Sequence, residues 1–96
     1  MSPTNKKRLD LLRIKLDKLD TNLLKLIKKR SNLVNDVLKV KIHKKEIIDQ
    51  KRISFILNKI KKKSIQLKID PKISNRIWKN MIWSFIDYEK RNFKKK

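Results

Sequence analysis

Apolar residues recur every three or four positions over the first forty residues, the spacing that places them along one face of an α-helix. We predict a single helix from about Thr4 to Ile42, directly after Pro3. At 1.5 Å per residue this helix is roughly 55–60 Å long, too long for the rest of the chain to cover. We therefore expect a second chain against it, in a coiled coil or an intertwined helical dimer. The face, called the seam below, comprises Leu9, Leu12, Leu16, Leu19, Leu23, Leu26, Arg30, Leu33, Val37 and Val40.

Two shorter helices are predicted in the second half of the chain. The segment from His43 to Ile48 breaks the first pattern, and Asp49 suits the N-cap of a second helix that ends near residues 64–68. Asp70 followed by Pro71 is a strong signal for the start of a third helix. No segment alternates with period two, so the fold class is all-α, with one long helix and two shorter ones. The apolar stripes are Ile53, Ile56, Leu57 and Ile60 on the second helix, and Ile73, Ile77, Trp78, Met81, Ile82, Phe85 and Ile86 on the third.

Length and composition limit the kinds of site that the chain can build. Residues 1–96 make one small domain, with residues 92–96 expected to form a disordered basic tail. With no cysteine and one histidine, His43, we expect neither a disulfide nor a thiolate or multi-histidine metal site. No apolar run reaches the ~20 residues that span a bilayer, and the N-terminus lacks the apolar region of a signal peptide. We expect a cytoplasmic protein with no membrane partner.

The charge is extreme, with 29 Lys and Arg against 9 Asp and Glu and a formal net charge of +20. Such a charge suits nucleic-acid binding through counterion release, and it also attracts small anions. It also fits a drift toward A/T-rich codons, because Lys, Ile and Asn are abundant while Gly and Ala are absent. The lysines are spread over the whole chain, so we do not expect nucleic acid to be the main partner.

Arg30 places a permanent charge within the apolar seam. An unpaired buried charge costs several kcal/mol, so a carboxylate of the protein or of a ligand should meet it. Lys41, 11 residues later, returns to within about 20° of the same face and lies roughly 16 Å along the axis. The two cations could hold a small dianion, although on spacing alone Lys41 is more often one solvated lysine among many.

Glu89 continues the apolar stripe of the third helix, four residues after Phe85 and three after Ile86. A carboxyl in such a position is either kept protonated or paired with a cation. Instead of acting in function, Glu89 could therefore form a salt bridge to Arg30 or to a nearby lysine that only stabilises the fold. Arg52, one turn into the second helix, is either a ligand contact or a surface residue. Arg13 lies roughly 100° from the Arg30 face, so it could reach the same pocket only from the other protomer.

These residues resemble the all-helical chorismate mutases. The segment LRIKLDKLDTNLLKLIKKRSNLVNDVLKVK is similar to that family's first helix, with its pattern of leucines, acidic residues, an Arg and a downstream Lys. Asp49 and Arg52 resemble the D-x2-R start of the second helix, and IDPKISNRIWKNMIWSFIDYE resembles the third. The resemblance implies an intertwined homodimer that rearranges chorismate to prephenate for phenylalanine and tyrosine biosynthesis in the shikimate pathway, without a cofactor.

The resemblance also implies a role for each candidate residue. Arg13 would reach one substrate carboxylate from the partner chain, and Arg30 would hold the other. Lys41 and Glu89 would donate hydrogen bonds to the ether oxygen. Arg52 would support the carboxylate end, and Asp49 would lie near the ring hydroxyl, with Phe85 also in the substrate pocket.

Two residues depart from the family pattern near the ring hydroxyl. Ile53 stands where Glu is commoner, and Phe85 stands where Ser is frequent. The related isochorismate pyruvate lyases share the fold and the cations, so lyase activity is the near alternative. A basic helical dimer that binds nucleic acid without catalysis is the distant one.

Overall fold

The computed structural model describes residues 2–94, which contain three α-helices and one 3-10 turn. Helix α1 is Pro3–Val40, the 3-10 turn is Lys44–Ile47, α2 is Gln50–Gln66 and α3 is Pro71–Asn92. No strand occurs in the described part of the chain, and the predicted all-α class with one long and two shorter helices is confirmed. The chain divides into two compact units, residues 1–33 and residues 34–96. No helix within residues 2–94 is both long and apolar enough to cross a membrane.

The first unit contains the part of α1 up to Leu33. Its seam is exposed in the single chain, with Leu19 at 59% and Leu23 at 55% relative accessibility. A row of exposed leucines on one face of a helix is a large unburied apolar surface, which monomeric proteins rarely keep. The second chain expected from the sequence remains a prediction, and this exposure is what a partner would relieve.

The second unit holds the core. Ile47 of the 3-10 turn is 3% exposed and packs with Ile82 and Ile86 of α3, each 6% exposed. The apolar stripes predicted for α2 and α3 meet around these three residues, although Ile73 and Ile77 stay exposed at the start of α3. The partly buried side chains packed on this cluster are Ile48, Ile53, Ile56, Leu57, Trp78 and Phe93.

Both predicted N-caps are confirmed. The Asp49 carboxylate accepts the Arg52 backbone N–H at 3.0 Å, and the Asp70 carboxylate accepts that of Lys72 at 2.9 Å, with Pro71 in the first turn of α3. These bonds satisfy N–H groups that a helix start leaves without a partner.

The helix ends differ slightly from the prediction. Helix α1 stops two residues before Ile42, and the extended backbone of His43 leads into the 3-10 turn that delivers Ile47 to the core. At the C-terminus α3 continues to Asn92 and Phe93 packs on the core, where the sequence favoured a disordered tail. Lys95 and Lys96 of that expected tail lie outside the described residues.

The α2–α3 connection is closed by hydrogen bonds. The Lys68 N–H bonds to the Ile65 carbonyl at 3.1 Å and the Ile69 N–H to the Ser64 carbonyl at 2.8 Å, which is a Schellman ending. Lys68 has φ of 58°, the left-handed conformation that favours glycine. Nearby, the buried hydroxyls of Ser64 and Ser74 lie 2.6 Å apart, and these small residues let the two helices approach closely.

Candidate active site

The centre of the candidate site is an ion pair between Lys41 and Glu89. Lys41 Nζ lies 3.0 Å from Glu89 Oε1, and the two side chains are 18% and 7% exposed. The residues are 48 apart in sequence, and the fold brings them together at the end of α1 and on α3. Of the two states expected for a carboxyl on an apolar stripe, the structure shows the one paired with a cation. The cation is the lysine that was itself a candidate.

Glu89 is buried because α3 turns its apolar stripe toward the core. It follows Ile82 by seven residues and Ile86 by three, so its side chain lies on the same side of α3 as these core residues. Burial of a carboxylate is expensive unless it is paired, and the Lys41 ammonium provides the compensating charge. The pair is therefore a polar element inside an otherwise apolar helix contact.

A hydrogen bond that was not predicted from the sequence involves Tyr88, the residue before Glu89. The Tyr88 hydroxyl donates to Asn35 Oδ1 at 2.8 Å, joining α3 to the last turns of α1. Both side chains are part-buried. The available signal was a tyrosine next to a candidate carboxyl, because a tyrosine in a partly apolar setting usually directs its hydroxyl to a polar partner.

Lys41 and Asp49 line one open cavity of about 540 Å³. This volume lies within the range of small-molecule sites, and its lining mixes cations with two carboxylates. The family resemblance implied that Lys41 and Asp49 share a substrate pocket, and both residues line this cavity. The other lining residues were not predicted; they are Lys45, Glu46, Ile48, Gln50 and Lys51.

Arg30 and Arg13 belong to the first unit. Arg30 is partly buried, and its Nη1 atom is shielded from solvent. Arg13 is exposed on α1, which leaves its side chain accessible to a partner chain. The meeting of these two cations with one ligand remains a prediction.

The remaining candidates differ in their surroundings. Arg52 is exposed, and its guanidinium carbon lies 5.3 Å from the centroid of the Phe55 ring. Phe85 is partly buried on α3, while Ile53 packs against the core cluster. Both of these last two side chains are apolar.

The arrangement suits electrostatic catalysis on an anion. Lys41 can donate hydrogen bonds to an oxygen that gains negative charge. Within residues 2–94, no group of three or more His, Cys, Asp or Glu side chains could hold a metal ion.

Comparison with known proteins agrees with this chemistry. The family model for chorismate mutase type II matches residues 12–90, most of the chain. No curated protein and no solved structure shows significant similarity to the chain. The matched range includes every candidate residue from Arg13 to Glu89 and all but the ends of the helical fold. The chain therefore belongs to the chorismate mutase type II family, a family of isomerases.

Proposed function

We propose that this protein rearranges chorismate to prephenate in a cytoplasmic homodimer, as a step toward phenylalanine and tyrosine. The observation that carries the proposal is the buried Lys41–Glu89 pair, 3.0 Å between Nζ and Oε1, beside an open cavity. The Lys41 ammonium is held in place by the Glu89 carboxyl within an apolar helix contact. Such an arrangement suits a reaction in which one oxygen gains negative charge as its bond to carbon breaks.

The rearrangement is intramolecular and needs no nucleophile. The protein has to hold a flexible dianion in the reactive chair, and it has to stabilise charge on the ether oxygen as the C–O bond breaks and the new C–C bond forms. In the proposal, Arg30 and the partner chain's Arg13 bind the two carboxylates, and Arg52 supports the carboxylate end. Asp49 and Phe85 lie along the ring, and Lys41 donates to the ether oxygen.

Glu89 fixes the position of Lys41 in the proposed site. Glu89 Oε1 lies 3.0 Å from Lys41 Nζ, and the Glu89 side chain is only 7% exposed. A lysine held by such a contact keeps its ammonium group at one point, which favours donation to an oxygen that gains charge. In the proposal the Glu89 carboxyl group provides the second hydrogen bond to the ether oxygen.

Product analysis tests the reaction directly. Purified protein is incubated separately with chorismate and isochorismate, and the products are identified. Prephenate from chorismate supports the proposal, whereas pyruvate with salicylate from isochorismate would assign lyase activity. The apolar Ile53 and Phe85 make this comparison necessary, because they remove polar groups expected near the ring hydroxyl.

A matched pair of variants tests the role of the Lys41–Glu89 pair. Lys41→Gln removes the partly buried cation, so we expect the rate of rearrangement to fall by about 10²-fold or more, as for loss of one preorganised donor. Lys44→Gln removes the same charge from an exposed position three residues away and should leave the rate close to wild type. Equal activity of the two variants would contradict the assignment of Lys41.

A further inference from the structure

Helix α2 concentrates positive charge on its solvent side. Its 17 residues include six basic and no acidic side chains. The apolar stripe of α2 packs toward α3, so all six cations are exposed. Helix formation therefore places these cations on the solvent side of α2. They are Lys51, Arg52, Lys59, Lys61, Lys62 and Lys63.

An aromatic ring lies among these cations. Phe55 is 54% exposed and is not part of the core cluster. The Arg52 guanidinium carbon lies 5.3 Å from its ring centroid and the Lys59 Nζ lies 5.9 Å from it. A shallow groove of about 380 Å³ continues from Phe55 along the helix. The α2 outer face is defined here as the groove residues Phe55, Asn58, Lys59, Lys62, Lys63 and Gln66.

We propose that the α2 outer face binds single-stranded nucleic acid, independently of the rearrangement described above. Proteins that hold single strands combine a cationic track for phosphates with an aromatic side chain on which a base stacks. Phe55 supplies the stacking surface, and Lys59 and Lys62, one turn apart, supply the phosphate contacts. The proposed substrate chemistry involves neither Phe55 nor these two lysines.

Charge and geometry favour a single strand over other polyanions. The distance from Phe55 to Gln66 along the helix axis is roughly 16 Å, so the face is long enough to contact a few nucleotides of a single strand. In a duplex the bases are paired and stacked, which leaves none for Phe55. A membrane-bound helix needs a broad apolar face, whereas this face has one aromatic side chain.

The test is a binding titration of the full-length protein by fluorescence anisotropy. The probes are a labelled oligothymidylate of about eight nucleotides and an abasic strand of the same length. Phe55→Leu should weaken binding of the oligothymidylate about tenfold and leave the abasic strand unaffected, because only the base stacks. Phe55→Tyr, which keeps an aromatic ring, should restore wild-type affinity.

Salt dependence separates phosphate contacts on this face from general attraction to a basic protein. Lys59→Gln/Lys62→Gln should reduce the slope of log K against log salt by about 0.7 for each lost contact. The control Lys72→Gln/Lys79→Gln removes the same charge from exposed positions of α3 and should change the slope much less. Chorismate turnover is measured on every sample, and we expect wild-type rates because none of these residues is assigned to the reaction.

Any of the following results would overturn the proposal. Equal weakening by the two double variants would show attraction to the net charge alone. Equal loss of oligothymidylate and abasic strand in Phe55→Leu would exclude stacking. Binding to vesicles of phosphatidylserine and phosphatidylcholine without binding to oligothymidylate would identify a lipid surface, and no binding to any probe would leave the face without this role.

Discussion

The Glu89 side chain lies 3.0 Å from Lys41 Nζ and is proposed to provide a hydrogen bond to the ether oxygen beside that lysine. Glu89→Gln keeps an N–H donor of similar size at this position, whereas Glu89→Ala removes the polar group altogether. We expect Glu89→Gln to keep a single-turnover rate within a few-fold of wild type and Glu89→Ala to lower it by about 10²-fold, as for loss of one preorganised donor. Equal rates in the two variants, with chemistry limiting, would contradict the donor role.

Lys68 is the residue whose conformation conflicts most with its type. It holds the left-handed position of the Schellman ending, where a Cβ atom costs energy, and the chain contains no glycine. We expect Lys68→Gly to raise the free energy of unfolding by about 0.5–1 kcal/mol. Lys61→Gly, the same change at an exposed position inside α2, should lower it by about 1 kcal/mol. Urea denaturation at fixed protein concentration measures both, and stabilisation in neither variant would contradict the argument.

At the scale of elements, α3 determines the position of Glu89, and the bond from Tyr88 to Asn35 fixes α3 against the end of α1. We expect Tyr88→Phe to reduce stability by about 0.5–1.5 kcal/mol and to lower kcat a few-fold with little change in KM. Asn35→Ala should act on the same bond, so the double variant should lose less than the sum of the two single variants. Additive effects would show that the two residues act separately.

The elements and the site differed in how far they could be predicted from sequence. The three helices and the caps at Asp49 and Asp70 followed from local spacing and side-chain chemistry, which act within one or two turns. The pairing of Lys41 with Glu89 depends on how α3 packs against the end of α1, so spacing indicated two candidates without showing that they meet. The Tyr88–Asn35 hydrogen bond and the contact of Arg52 with the Phe55 ring could be recognised only from the three-dimensional structure.

For the whole molecule, the exposed seam of α1 predicts a dimer. Leu23→Asp places a charge on the seam, and burying it would cost far more than the roughly 1.5–3 kcal/mol that a buried leucine contributes. We expect this variant to be monomeric and inactive. Leu24→Asp changes the adjacent leucine, itself 65% exposed but turned about 100° away, and should remain dimeric. Light scattering after size exclusion distinguishes the 11.7 kDa chain from a dimer, and a monomeric wild type would contradict the prediction.

If each active site of the dimer contains residues from both chains, a stricter prediction about Arg13 and Arg30 follows. If Arg13 serves the site that contains the partner chain's Arg30, then Arg13→Ala and Arg30→Ala homodimers both have two defective sites. In a mixed dimer, the chain that keeps Arg30 receives an intact Arg13 from its partner, so one of its two sites is complete. Unfolding and refolding the two variants together in equal amounts should therefore restore about a quarter of wild-type activity, because half of the dimers are mixed. Mixing without unfolding is the control and should restore less if the chains exchange slowly. If Arg13 acted within its own chain, every site would lack one arginine and co-refolding would restore nothing.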